Sequence, residues 1–359
     1  MKNVINWIKV VKINLLITLV LLLIIEITLS VAFFVRDNFV KNKEIENINV
    51  TAETVGFRNE TKNFRGYPYK AFLGWVSPDI QGEFLNVIKE RRITLNPEDL
   101  VSNDILYFFG GSTMWGHSVS DKNTIPSLVS QQLKIKAINY SEQAYNSRQE
   151  LNLLLNNIDR IEKGHTVIFY DGVNDVYHNC RSYNSPNGHA REYYIRDALT
   201  GSYGSNNSIF TYLDFLSTYR FIHGLSKKLN LTHKIFQEYT NSCDDPVYAS
   251  NVADFLVNNW EGVEAILAAK GVNFLCILQP NPYTFDGSIN YSNKEMKSQI
   301  DLVYPLIRRK AKDLSCFQDY SSILRENNYV DSCCHLNELG NVEVSAQLRK
   351  DLSRKLRLK

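Results

Sequence analysis

Four short segments of the 359-residue chain hold residue types suited to nucleophilic chemistry. In YFFGGSTMWG, residues 107–116, an aromatic apolar run ends in Gly110 and Gly111, and Ser112 follows. Paired glycines suit a sharp strand-to-helix elbow that presents the serine hydroxyl. The segment NYSEQAYNS opens at Asn139 and contains Ser141. YDGVNDVYHNC, residues 170–180, holds Asp171, Asn174, Asp175 and His178, and YVDSCCHLNELGN, residues 329–341, holds Asp331 and His335. A serine hydroxyl is a poor nucleophile unless a neighbouring base takes its proton during attack. Each segment taken singly has a plainer reading: a Gly-Gly-Ser turn, a loop histidine, an Asx turn or helix N-cap at Asn174-Asp175.

The elements that must position these residues alternate. DILYFFGG reads as a buried strand and TIPSLVSQQLK as the helix after the elbow. IKAINYS is a second strand, SRQELNLLLNNIDRI a helix, and HTVIFYDG a third strand. VADFLVNNWEGVEAILAAK reads as a helix before the strand VNFLCILQP, with further helices at about 294–313 and Glu338 to Lys355. Strands alternating with helices imply an α/β fold, a doubly wound parallel sheet covered on both faces, whose functional loops lie at the carboxyl ends of the strands. The four segments sit at such ends. Between about 176 and 248 the alternation stops in a Tyr-, Asn- and Ser-rich stretch too long for an ordinary loop. It reads as an insertion that shapes access to the site.

Together, GGST, NYSEQAYNS, GVND and DSCCH resemble, in order, the sequence blocks of the SGNH/GDSL hydrolases, serine esterases on a flavodoxin-like sheet. The resemblance runs from about 103 to 350, leaving the insertion aside. It implies Ser112 as nucleophile, His335 as base and Asp331 as the carboxylate that orients the imidazole. It implies an oxyanion hole from the backbone N–H groups of Ser112 and Ser141 and the side-chain amide of Asn174. Two positions depart from the pattern. Ser141 stands where a glycine is usual, and Asp331 precedes His335 by four residues rather than three: Asp331 reaches the imidazole if the loop bulges at Cys333, and otherwise the site is a Ser–His dyad or a backbone carbonyl orients the ring. Asp171, Asp175 and His178 are candidates for lining the site. The other histidines, His117, His165, His189, His223 and His233, read as surface residues.

The domain order expected is a tail at 1–12, a transmembrane anchor at 13–35, a polar stalk at 36–65 and the catalytic domain at 66–359. The anchor, INLLITLVLLLIIEITLSVAFFV, carries one ionisable residue, Glu26, which is given no role, and is long enough to cross a bilayer. A cleavable signal peptide ending near Ser30-Val31-Ala32 is the rival reading. Lys and Arg balance across the span, and six cysteines suit an oxidising compartment, so the N-terminus is expected in the cytoplasm and the large domain outside. Cys180 with Cys333 or Cys334 is one pairing among the fifteen open to six cysteines. A net charge of +2 and no basic, aromatic-interleaved patch argue against a nucleic-acid partner. No cofactor or metal is expected. The expected substrate is an ester-bearing small molecule or polysaccharide, carrying acyl groups of O-acetyl size. The same residues also suit an O-acyltransferase working with a membrane partner, or a catalytically inactive SGNH-like binding or assembly protein.

Overall fold

The computed structural model describes residues 2–45, 51–62, 66–181, 189, 217–218, 221–222, 225, 241–284 and 293–356. They fall into two units, 1–47 with 191–239 and 48–190 with 240–359. In the first unit, helix α1 (Lys2–Ile45) contains the apolar span Lys9–Val35, long and apolar enough to cross a membrane. The one carboxylate of that span, Glu26, accepts hydrogen bonds from the backbone N–H groups of Ser217 and Thr218 and from the Thr218 hydroxyl. Ser30 Oγ lies 2.8 Å from Ser217 Oγ. The partner of Glu26 is thus the insertion of the same chain.

The second unit is built on five parallel strands: β1 (Ile105–Gly110), β2 (Lys136–Asn139), β3 (Thr166–Asp171), β4 (Asn273–Leu278) and β5 (Phe317–Asp319). Their order is β2-β1-β3-β4-β5, the flavodoxin-like arrangement. Phe108 on β1 pairs with Asn139 on one side and Ile168 on the other. The central strands β1, β3 and β4 read as apolar runs in their interiors because both faces are covered. Tyr107, Phe109, Val167, Phe169, Phe274 and Cys276 face one core. That core is closed by α5 (Ser147–Asn156), α7 (Pro246–Ala269) and α8 (Lys294–Ala311). The alternate residues Leu106, Phe108, Ile168, Tyr170, Leu275 and Ile277 face the other core, under α4 (Ile125–Leu133) and α9 (Glu338–Lys355). The chain leaves β1 towards β2 and returns to β3 on the opposite side, so a crevice opens at the carboxyl ends of β1 and β3.

Part of the expected stalk is folded. Helix α2 (Ala52–Thr61) belongs to the second unit, with Phe57 buried against Leu85, Val87 and Trp115. Its acids serve as caps: Glu60 accepts the N–H groups of Glu83 at 2.8 Å and Leu85 at 2.8 Å, and Glu53 accepts from the Ser120 hydroxyl and the Asn123 amide, each at 2.8 Å. A polar composition concealed one apolar anchor and two buried-end carboxylates. The insertion is closed at its base by a disulfide, Cys180–Cys243, between the end of α6 (Val173–Asn179) and the start of α7. This replaces the Cys180 pairing with Cys333 or Cys334, both of which are free, as are Cys276 and Cys316. Most of 176–248 lies outside the described residues.

Candidate active site

The crevice between β1 and β3 is where Ser112 and Asn174 meet. Gly111 precedes a one-turn helix, α3 (Ser112–Trp115), and Gly116, with φ at +98°, ends it. The glycine pair is explained by close approach. A Cβ on Gly111 would lie 2.3 Å from Asn174 Nδ2, and one on Gly110 would lie 2.7 Å from Met114 Cβ. Strand, elbow and amide can therefore come together only without those side chains.

The loop after α3 is held from beneath by Arg92. Its guanidinium is buried and donates to Asp121 at 2.6 Å, to the Gly116 carbonyl at 3.1 Å and to the Val119 carbonyl at 2.8 Å. It also lies over the Trp115 ring, 4.8 Å from the centroid. Burial works against the charge on Arg92 and Asp121 supports it.

Ser112 Oγ lies 2.7 Å from His335 Nε2, and His335 Nδ1 is hydrogen-bonded to Asp331 Oδ2. The four-residue spacing is absorbed by the other carboxylate oxygen. Asp331 Oδ1 accepts the backbone N–H groups of Cys333 at 2.9 Å, Cys334 at 3.1 Å and His335 at 3.3 Å, closing the loop as a small ring around the carboxylate. Thr113 Oγ1 donates to the Cys334 carbonyl at 3.2 Å, tying that ring to α3, the helix that begins at Ser112. Burial alone would lower the His335 pKa, but the Asp331 charge raises it to about 9. Burial likewise opposes the charge on Asp331, and the imidazolium with the backbone donors holds it well below the usual carboxylate range. The raised pKa favours the imidazolium form, in which Nε2–H faces Ser112.

The remaining sequence candidates divide. Asn174 donates one amide hydrogen to the Tyr145 carbonyl at 2.7 Å, which leaves the second for a ligand. The Ser141 N–H donates to Asn139 Oδ1 at 3.0 Å and is already satisfied. Asp171 and Asp175 do not line a surface. Asp171 accepts from Trp260 Nε1 at 2.7 Å, and Asp175 accepts from the Ser147 hydroxyl at 2.6 Å, both inside the core. Burial, with the Asp175 charge beside it, raises Asp171 to about 8, and burial raises Asp175 to about 6; burial and the two aspartates push Glu150 well above the usual carboxylate range. His178 is buried against His189, with ring centroids 3.8 Å apart. The expectation of surface histidines fails for His165 and His189, which are buried, and for His117, which is half-buried. His223 and His233 lie outside the described residues.

Two residues escaped the sequence reading. His117 stacks on His335, with centroids 4.1 Å apart, while its edge meets Phe57 at 5.1 Å. Burial and the neighbouring His335 charge hold its pKa well below the ordinary histidine value. Its signal was its place one residue beyond Gly116, on the turn that ends α3. Ala144 adopts a left-handed conformation, φ +61°, on the loop that passes Gly111, and its N–H has no acceptor among the described residues. That loop is anchored by Glu142, which accepts the Ser77 N–H at 2.6 Å, and by the Gln143 carbonyl, which accepts Trp75 Nε1 at 2.8 Å. Burial raises Glu142 to about 7.

No protein-family model matches the chain, and no curated protein matches it in sequence. Among solved structures it is similar to an acetyl xylan esterase at 16% identity, covering 69% of this chain and 99% of that one, with a TM-score of 0.37. It is similar to a carbohydrate acetylesterase from Sinorhizobium meliloti at 10% identity, covering 70% and 99%, with a TM-score of 0.41. A GDSL-like lipase from Bacteroides thetaiotaomicron matches at 13% identity, covering 70% and 89%, with a TM-score of 0.39.

Proposed function

We propose that the protein is a membrane-anchored serine esterase of SGNH type that removes small acyl groups, of O-acetyl size, from a carbohydrate or similar ester outside the cytoplasm. The observation that carries this reading is the hydrogen-bonded series Ser112 Oγ, His335 Nε2, His335 Nδ1 and Asp331 Oδ2 at the switch point of the sheet. Once His335 has lost its proton, Nε2 takes the hydrogen of Ser112 as Oγ attacks the ester carbonyl. The imidazolium so formed returns the proton to the leaving alcohol. Water, deprotonated by the same nitrogen, then releases the acyl group from Ser112. Charge on the carbonyl oxygen is met by the N–H of Ser112, the free hydrogen of the Asn174 amide and the N–H of Ala144, which takes the place expected of Ser141. Loss of one such donor costs about 100- to 1000-fold in rate.

The apolar span of α1 anchors the chain with its N-terminus in the cytoplasm, and the Cys180–Cys243 disulfide supports an oxidising compartment for the large unit. The substrate class follows from that placement and from the resemblance of the four blocks. The test is hydrolysis of p-nitrophenyl acetate by the detergent-solubilised full chain beside Ser112→Ala and His335→Ala. Activity that falls to background in both variants supports the reading, and parent activity equal to theirs overturns it. A crystal structure of the phosphonylated enzyme checks the donors. The phosphoryl oxygen is expected about 2.7–3.1 Å from the Ala144 nitrogen, and an oxygen on the Ser141 nitrogen instead would restore the original assignment.

A further inference from the structure

Cys333 and Cys334 are consecutive, free, and lie between the two residues that face each other across the His335–Asp331 hydrogen bond. Their Sγ atoms are 3.0 Å apart. Cys333 is half-buried and Cys334 is buried, whereas Cys276 and Cys316 are sealed in the core. The hydrogen bond from the Cys333 thiol and the nearby His335 charge draw Cys334 towards its thiolate, while Cys333 is held as the thiol. The backbone N–H groups of both cysteines are donors to Asp331 Oδ1.

We propose that Cys333 and Cys334 form a redox modification site, closed to a vicinal disulfide by exchange with an external disulfide, and that closure switches off the adjoining His335–Asp331 pair. Cys333 Sγ, the one of the two that solvent reaches, passes its proton to the Cys334 Sγ beside it and attacks one sulfur of the external disulfide, displacing the first thiolate. Cys334 Sγ then attacks the Cys333 sulfur of this mixed disulfide and displaces the second. Two protein thiols and one external disulfide become one protein disulfide and two external thiols, which carry off both protons.

Geometry makes the bond reversible and makes it act on the site. Consecutive Cα atoms across a trans peptide are about 3.8 Å apart, whereas ordinary disulfides span about 4.4–6.8 Å. The ring therefore closes only with distortion of the Cys333–Cys334 peptide, and a strained disulfide is readily reduced. The distorted peptide includes the Cys334 N–H that holds Asp331, so the carboxylate shifts and His335 loses its orientation. A displacement of about 1 Å at such a site costs about 100-fold in rate.

The activity half of this inference rests on the esterase reading, and the chemical half does not. The full chain in detergent is equilibrated in glutathione buffers from reducing to oxidising, quenched with acid, alkylated with N-ethylmaleimide and digested with trypsin. The peptide Glu326 to Arg349 contains both cysteines and no others. It is expected with two adducts after reducing buffer, and unalkylated and lighter by two hydrogens after oxidising buffer. Hydrolysis of p-nitrophenyl acetate is expected to fall about 100-fold with the same midpoint and to return with dithiothreitol. Cys333→Ser, which keeps the backbone N–H, is expected to lose the redox response. Two adducts in every buffer, or glutathione adducts alone, would overturn the site. A disulfide that forms in an active enzyme without changing its rate would overturn the switch. Disulfide formation in a protein inactive in both buffers would uphold the modification site and refute the esterase reading instead.

Discussion

Replacing Asp331 by Asn tests the division of labour between the two carboxylate oxygens. Oδ1 accepts three backbone N–H groups and Oδ2 accepts His335 Nδ1–H. In Asp331→Asn the amide has one oxygen and one NH2, and the backbone chooses between them. Turning the NH2 towards three N–H groups forfeits three hydrogen bonds, at about 1–3 kcal/mol each. The oxygen therefore stays on the backbone and the NH2 faces His335. A donor there requires a bare Nδ1, which puts the single imidazole proton on Nε2, against Ser112. No lone pair then remains to take the serine proton. The expected loss in kcat is about 10,000-fold, or about 5 kcal/mol of transition-state stabilisation, with the loop and the fold retained. The assay is p-nitrophenyl acetate turnover across pH, with circular dichroism as the check on folding. A folded variant that loses less than about tenfold, or that still titrates near pH 9, would refute the tautomer argument.

Further outcomes follow from the same contacts. With His335 raised to about 9, kcat/KM is expected to climb roughly tenfold per pH unit from 7 and level off near 9. A flat profile from pH 6 to 9 contradicts this. Stability runs the other way: the raised His335 pKa contributes stability below the ordinary histidine value near 6.5, and it is lost as pH rises through about 9. The depressed Asp331 pKa contributes stability above its ordinary value of 3.8, and it is lost as pH falls through the lower folded value, so the melting temperature should be highest between these limits. In Gly111→Ala the new methyl lies 2.3 Å from Asn174 Nδ2 and pushes the amide off the Tyr145 carbonyl. Turnover should fall about 100-fold and stability by about 1–3 kcal/mol, whereas wild-type kinetics would show that the elbow has room. Arg92→Met leaves the Asp121 carboxylate without its buried partner and should cost about 3–5 kcal/mol in urea denaturation. A loss below about 1 kcal/mol would mean that Arg92 does not hold the loop.

The sheet was legible because the interiors of β1, β3 and β4 are unbroken apolar runs, a pattern that a sheet covered on both faces accommodates. Ser112, Asn174, Asp331 and His335 were legible as residue types in a fixed order. What the sequence hid was mostly backbone. The choice between Ser141 and Ala144 turns on which N–H is left free, and Asn139, two residues before Ser141, takes that one. Ala144 has no signal, since a left-handed alanine is disfavoured and only the anchored loop around Glu142 enforces it. The Asp331–His335 spacing looked irregular until the carboxylate was seen to close its own loop. Phe57 in a polar run concealed α2, and Asp171 and Asp175, polar letters at a strand end, turned out to be core. Tertiary packing decided each of these cases, and local pattern does not report it.

The most direct measurement is labelling of the full chain with a fluorophosphonate, followed by peptide mapping, because this reagent phosphonylates a serine only when its hydroxyl is activated. The account predicts one adduct, on Ser112, lost in His335→Ala, slowed in Asp331→Asn and accelerated as pH rises towards 9. No adduct on Ser112 at alkaline pH, or labelling that persists unchanged without His335, would contradict it.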